Sequence, residues 1–181
     1  MRVTIIEAGE LGDHTTTAAR AISDELAVGS VDTRLFSLSS LTIKPCLGCS
    51  ACMVRTPGQC VHRDDVAMIL KELLASDRVL FLYPLARGFM ASRAKDFVDR
   101  LFPLELPYIE FRDKAMTHGL RYGRYPDWGF VVDVGEGGSK DEFEIAAELN
   151  RRLARYYRSS VFLNAESPIE PKEAAHAAMR D

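Results

Sequence analysis

The sequence lacks three features that would assign it to a special class. Its longest apolar runs, such as residues 79–86, are far too short to span a bilayer. Its formal net charge of −3 shows no basic excess, so we expect neither nucleic acid nor a membrane surface as a partner. Because residues 1–6 lead directly into a strand-like pattern, we expect no signal peptide and a cytoplasmic location.

The composition is ordinary for a globular protein. Of the 181 residues, 47% are hydrophobic and 27% are charged, which predicts one domain over residues 1–181. A chain of this length can bury a core without help from disulfides or a metal.

Cysteine is absent outside one short segment, where Cys46, Cys49, Cys52 and Cys60 form the pattern C-x2-C-x2-C-x7-C. In a reducing compartment such spacing points to metal or redox chemistry and not to disulfides. Thiolates bind zinc or an iron–sulfur cluster. Zinc ribbons usually present two separated C-x2-C pairs, whereas this overlapping run is closer to the ligation of a cubane cluster. A zinc site and four unligated thiols remain the alternatives.

Apolar runs alternate with helical spacing along most of the chain. The patterns predict five strands, near residues 3–6, 31–38, 79–83, 129–134 and 161–163, and helices near residues 15–27, 64–74, 92–102, 140–157 and the tail after 166. This alternation predicts an α/β fold with a doubly wound parallel sheet.

Ligands of such sheets bind beyond the carboxyl ends of the strands. The predicted ligand loops are therefore residues 7–15, 84–92 and 135–139. The cysteine loop, residues 38–63, also follows the carboxyl end of a strand, so we expect it on the same side. Residues 103–127 are rich in aromatics and proline, and we expect an irregular excursion there that covers a site or an interface.

Two motifs carry a resemblance to a known family. The first runs from Ile43 through the cysteines to Val61, followed by the acidic pair Asp64-Asp65; the second is Pro84 and Gly88, then residues 95–100. In these motifs the chain resembles the flavodoxin-like NADPH-dependent FMN reductase family, and within it the iron–sulfur flavoproteins. The resemblance implies a three-layer αβα fold with strand order 2-1-3-4-5. It also implies FMN and a [4Fe–4S] cluster held by the four cysteines.

The resemblance implies flavin contacts at the three predicted ligand loops. These contacts are Gly9, Gly12, Thr15 and Thr16 in the first, Pro84, Leu85, Ala86, Arg87 and Gly88 in the second, and Gly135, Gly137 and Gly138 in the third. The chain departs from the family's phosphate loop, G-S-x-R-x-x-G-N-T, because Gly9 and Leu11 stand at its serine and arginine positions. Glu10 and Asp13 add negative charge that opposes a dianion. In the second loop, Ala86 replaces an aromatic residue.

The resulting hypothesis is a redox protein that transfers electrons between FMN and a [4Fe–4S] cluster, with NAD(P)H or another small-molecule or protein donor or acceptor. It requires no general acid or base. One alternative is a flavin-free metal-binding or redox-sensing subunit, and another is a flavin reductase with free cysteines. We expect Lys95, Asp99 and Arg100 to form a structural salt-bridge set. The tyrosines of the excursion and Trp128 predict an interface in a homo-oligomer.

Overall fold

The fold is built on a twisted parallel sheet, seen in a computed structural model that describes residues 1–9, 14–112 and 114–180. The strands are β1 (Arg2–Glu7), β2 (Asp32–Ser37), β3 (Arg78–Ala86), β4 (Phe89–Met90), β5 (Glu105–Arg112), β6 (Ala115–Leu120), β7 (Asp127–Asp133) and β8 (Val161–Glu166). The five parallel strands lie in the order β2-β1-β3-β7-β8, and β4 pairs with β3 as an antiparallel extension. The five predicted strands are thus β1, β2, β3, β7 and β8, and the predicted order 2-1-3-4-5 is confirmed.

Helices cover both faces of the sheet, as the predicted three-layer architecture requires. They are α1 (His14–Val28), α2 (Ala51–Val54), α3 (Val66–Ala75), α4 (Ser92–Asp99), α5 (Lys140–Tyr156) and α6 (Pro171–Met179). One face buries α1 and α6 against side chains such as Val3, Ile5 and Leu82. The other buries α3, α4 and α5 against side chains such as Ile6 and Phe81.

The central strands are apolar on both faces because each face is covered by helices. Trp128 begins the buried part of β7, is 1% exposed, and stacks on Phe130 with ring centroids 5.7 Å apart. The expectation that Trp128 lies at an interface is therefore wrong, since its side chain belongs to the core. The sequence did not separate it from the exposed aromatics that precede it.

Two segments for which no strand was predicted, the ligand loop 84–92 and the excursion 103–127, contain hairpins. Strand β3 continues through Pro84 to Ala86 and turns back at Arg87-Gly88 into β4. Within residues 103–127, β5 and β6 pair as an antiparallel hairpin. The prolines in residues 103–127 led to the wrong expectation of an irregular segment. Proline is tolerated on edge strands and at bulges, and the β5–β6 ladder has a register shift between Glu105 and Ile109.

No helix in the described ranges is both long enough and apolar enough to cross a membrane.

Candidate cofactor and metal sites

The three predicted ligand loops converge at one edge of the sheet. Glu7, the last residue of β1, pairs with Leu82 of β3, and Pro84 of β3 pairs with Asp133 of β7. Parallel neighbours end at the same edge, so the segments that follow β1, β3 and β7 are adjacent. The structure thus brings the three loops to one edge of the sheet, and that a cofactor binds there stays a prediction.

The first loop contains a feature that sequence reasoning missed. The carboxylate of Glu7 is 1% exposed, and its Oε2 accepts hydrogen bonds from the Gly9 N–H at 3.0 Å and from the Thr16 hydroxyl at 3.2 Å. Thr15 is also buried. The sequence signal that could have identified this feature is an acidic residue, Glu7, at the end of a mostly apolar strand. The predicted contact Gly12, together with Glu10, Leu11 and Asp13, lies outside the described residues.

The second loop forms a tight turn between β3 and β4. Arg87 and Gly88 both adopt positive φ, at 55° and 74°, as a two-residue hairpin turn requires. A Cβ at Gly88 would lie 3.0 Å from Oε1 of Glu142 in α5, so the glycine also allows close packing there. Ala86 and Arg87 are exposed beside it.

An apolar cavity of about 320 Å³ lies between this hairpin, α4 and α5. Leu85, Gly88 and Phe89 contribute to its wall, with Tyr83 at its buried side. The Tyr83 hydroxyl donates to Oδ1 of Asn150 at 2.7 Å, and burial raises the pKa of Tyr83 to about 12. The tyrosine is therefore neutral at physiological pH, and the cavity suits a flat, mostly apolar ligand.

The third loop is a glycine turn that leads into α5. Gly135 and Gly137 have positive φ, at 75° and 78°, and no atom lies within 4 Å of a Cβ built at either. Gly138 differs, because a Cβ there would lie 2.6 Å from the Val134 carbonyl oxygen. Ser139 then begins α5 with a capping box. The open side of this turn leaves backbone accessible to a ligand.

All four cysteines line one small cavity of about 90 Å³. Cys52 is buried, Cys46 and Cys60 are half-buried, and Cys49 is exposed, and all four are free thiols. The Gly48 N–H lies 3.4 Å from the Cys46 Sγ. Burial raises the pKa of the Cys52 thiol, and the neighbouring Cys60 raises it further. Within the described ranges, no three metal-binding side chains are arranged around a common point as a metal site requires.

A second, larger cavity of about 670 Å³ adjoins the cysteines. Cys60 belongs to the walls of both cavities, and the larger one continues past Arg63, Lys71 and Arg100 to Tyr122. Sequence reasoning did not anticipate this cavity, because its walls come from three separate segments of the chain, residues 56–74, residues 100–104 and Tyr122.

Arg100, the residue after α4, lies next to Cys60 and pairs with Asp64 instead of a residue of α4. Its guanidinium is 1% exposed and bonds both carboxylate oxygens of Asp64. Burial alone would lower the pKa of Arg100, but Asp64 and Cys60 raise it above its ordinary value. Lys95 and Asp99 form the predicted ion pair, and Arg100 forms a buried ion pair with Asp64, so all three residues make structural salt bridges as expected, although not within one set.

The cysteine cavity and the apolar cavity share no lining residue among the described residues. Phe102, which lines the cysteine cavity, comes after α4 in the sequence, and the β3–β4 turn comes before α4. The eight residues of α4 span about 12 Å. That the cysteines and the ligand loops lie on one side stays a prediction.

Comparison with known proteins shows which family the chain is similar to. The model of the NADPH-dependent FMN reductase family matches residues 1–140. An iron-sulfur flavoprotein of Archaeoglobus fulgidus is 30% identical over 129 residues, which are 71% of this chain and 51% of that protein. A second protein of the same name and organism is 26% identical over 106 residues, 56% of this chain and 51% of that protein. The chain thus spans about half the length of these curated relatives.

Solved structures support the fold. A flavone reductase aligns with a TM-score of 0.65 at 14% identity, over 98% of this chain and 59% of that protein. A putative quinone reductase of Klebsiella pneumoniae aligns with a TM-score of 0.67 at 15% identity, over 98% and 81%. At such identities the likeness shows the architecture alone.

Proposed function

Because the chain belongs to the NADPH-dependent FMN reductase family, we propose that it is a redox flavoprotein that transfers electrons between a flavin and a four-cysteine [4Fe–4S] cluster. The observation that carries this proposal is that Cys46, Cys49, Cys52 and Cys60 all line one small cavity. NAD(P)H or a reduced protein supplies the electrons, and a small molecule or protein accepts them.

The cysteine cavity fits a cluster in its chemistry. Four thiolates are the usual ligand set of a [4Fe–4S] centre, and hydrogen bonds to sulfur and nearby charge tune its potential. Here the Gly48 N–H faces the Cys46 sulfur, and the guanidinium of Arg100 lies near Cys60. Zinc would use the same four ligands, so metal identity is part of the test.

The edge formed by the three ligand loops fits a flavin ring better than a flavin phosphate. The apolar cavity, the neutral Tyr83 and the open backbone at Gly135 and Gly137 are suited to a flat ring. A bound flavin would supply hydride acceptance and single-electron transfer. The residues around the apolar cavity and the glycine turn would hold and orient it. At the first loop, however, Glu7 already occupies the Gly9 and Thr16 donors.

That position of Glu7 favours the second candidate, a flavin-free metal-binding or redox-sensing subunit. In this candidate the Glu7 carboxylate accepts the hydrogen bonds that a ligand phosphate would otherwise accept in the first loop, and the function depends on the cysteines alone. The two candidates differ in flavin content and agree in metal content.

We also propose a homo-oligomer. The β5–β6 hairpin exposes large apolar side chains, with Tyr108 71%, Phe111 77% and Met116 73% exposed. An exposed apolar patch on a structured element is typical of a protein–protein contact.

The test is anaerobic purification followed by an absorption spectrum and metal analysis. Flavin bands together with iron support the proposal. Iron or zinc without flavin favours the flavin-free subunit, and flavin without metal favours a reductase with free cysteines. Cys49→Ser should abolish the cluster absorption, whereas Val54→Ala, an exposed change in the same segment, should not. Unchanged iron in Cys49→Ser would show that the ligand assignment is wrong.

A further inference from the structure

Glu7 is a buried carboxylate that the proposed electron transfer does not explain. One oxygen, Oε2, accepts hydrogen bonds from Gly9 and Thr16. The other, Oε1, is buried and has no hydrogen-bond partner in the part of the chain that the structure describes. A buried polar atom without a partner costs free energy. A hydrogen-bond donor on a ligand bound at this edge of the sheet would offset the cost of leaving Oε1 unpaired.

The groups that hold Glu7 are those that would otherwise hold a phosphate. The Gly9 N–H belongs to the turn after β1, and the Thr16 hydroxyl belongs to the first turn of α1, a 15-residue helix. Backbone N–H groups and hydroxyls at a helix N-terminus form a typical anion site. In this protein the anion in that position is the chain's own carboxylate.

The sequence of this segment is acidic and carries no compensating positive charge. Residues 7–17 contain Glu7, Glu10 and Asp13 and no lysine or arginine. A phosphate monoester carries between one and two negative charges at neutral pH. Like charges in contact repel strongly where water is excluded. A ligand hydroxyl, in contrast, can donate a hydrogen bond to Oε1.

We propose that Glu7 selects against the terminal phosphate of the flavin, so that the chain binds riboflavin, through its ribityl hydroxyls, more tightly than FMN. This inference rests on the proposed flavin site and names the form of flavin that the site accepts. Glu7 thereby acts as a specificity-determining residue, which contacts the ligand's side chain and not its redox-active ring.

The test measures the dissociation constants of riboflavin and FMN for the full chain, from the quenching of flavin fluorescence under anaerobic conditions. The wild type should bind riboflavin roughly tenfold more tightly than FMN. Glu7→Gln keeps the shape and an acceptor oxygen but removes the charge. It should tighten FMN binding by roughly tenfold and change riboflavin binding by less than about threefold.

Asp24→Asn is the matched control. It removes one carboxylate from α1, about 15 Å from the N-terminus of that helix, where the side chain is exposed. This variant should leave both dissociation constants unchanged. A change as large as that of Glu7→Gln would mean that net charge, and not the position of Glu7, sets the preference.

Three results would overturn the proposal. One is tighter binding of FMN than of riboflavin by the wild type, and another is an equal effect of Glu7→Gln on both flavins. Either would leave the flavin site itself intact. If neither the wild type nor Glu7→Gln binds any flavin, the flavin part of the proposed function fails as well. Should Glu7→Gln not fold, as judged by circular dichroism, the wild-type ratio of the two constants decides.

Discussion

Arg100 donates a hydrogen bond to each carboxylate oxygen of Asp64, at 2.7 and 2.9 Å, in an ion pair whose side chains are 1% and 0% exposed. The same guanidinium donates to the Lys44 carbonyl oxygen at 2.6 Å, and Asp64 accepts from the Lys44 N–H at 3.0 Å. These hydrogen bonds connect Lys44 and Asp64, which flank the cysteine segment, to the C-terminal end of α4.

Arg100→Met should lower the free energy of unfolding by about 3–5 kcal/mol, because it leaves the buried charge of Asp64 unpaired. Urea denaturation measures this loss. The double variant Arg100→Met with Asp64→Leu should recover part of it, since no charge then remains buried. Lys95→Met is the control: it breaks an ion pair that is 42% and 40% exposed and should cost less than about 1 kcal/mol. Equal losses in both single variants would contradict the prediction.

Glu105 should make stability depend on pH. Its carboxylate accepts hydrogen bonds from the hydroxyls of Tyr157 at 2.7 Å and Tyr156 at 2.9 Å, yet burial raises its pKa above the ordinary value. A raised folded-state pKa gives stability that is complete below the unfolded-state pKa of about 4.3. That stability is lost as pH rises through the folded-state pKa.

Glu105→Gln should remove this dependence. Between about pH 4 and pH 7 the wild type should lose more free energy of unfolding than the variant, as urea denaturation at several pH values would show. Parallel pH profiles for the two proteins would contradict the assignment.

Gly129→Ala should be among the most destabilising single-methyl changes. A Cβ at this position of β7 would lie 2.5 Å from two ring carbons of Phe162 and 2.9 Å from a methyl of Leu80. Overpacking of this kind costs about 1–3 kcal/mol, which thermal unfolding would detect. At Gly123 a Cβ meets no atom within 4 Å, so Gly123→Ala should leave the melting temperature almost unchanged. A similar shift in both variants would contradict the packing argument.

The β5–β6 hairpin should mediate self-association. Replacing Tyr108 and Phe111 with serine removes two of its exposed apolar side chains, so light scattering after size-exclusion chromatography should show a smaller assembly than the wild type. Val28→Ser removes a side chain that is 83% exposed elsewhere and should not change the mass. A monomeric wild type would show that the proposed oligomer does not form.

Much of the fold was predictable because its signals are local. Continuous apolar runs such as Val79–Tyr83 can only be buried on both faces, and the alternation with helices then requires a parallel sheet. The hairpin after Pro84 was not predictable in the same way. Its turn depends on positive φ at Arg87, which few non-glycine residues adopt without support from their surroundings.

The amino-acid sequence by itself determined the cysteine pattern and the alternation of strands and helices, because spacing and periodicity are properties of neighbouring residues; the strand order followed from the resemblance to the family. Only the tertiary structure decided what surrounds these features. It brought Arg100, the residue after α4, to Asp64, 36 positions away, and it turned the carboxylate of Glu7 onto Gly9 and Thr16. Such partners are set by the packing of helices on the sheet, where buried charge must find a hydrogen-bonding partner and residues distant in sequence supply it.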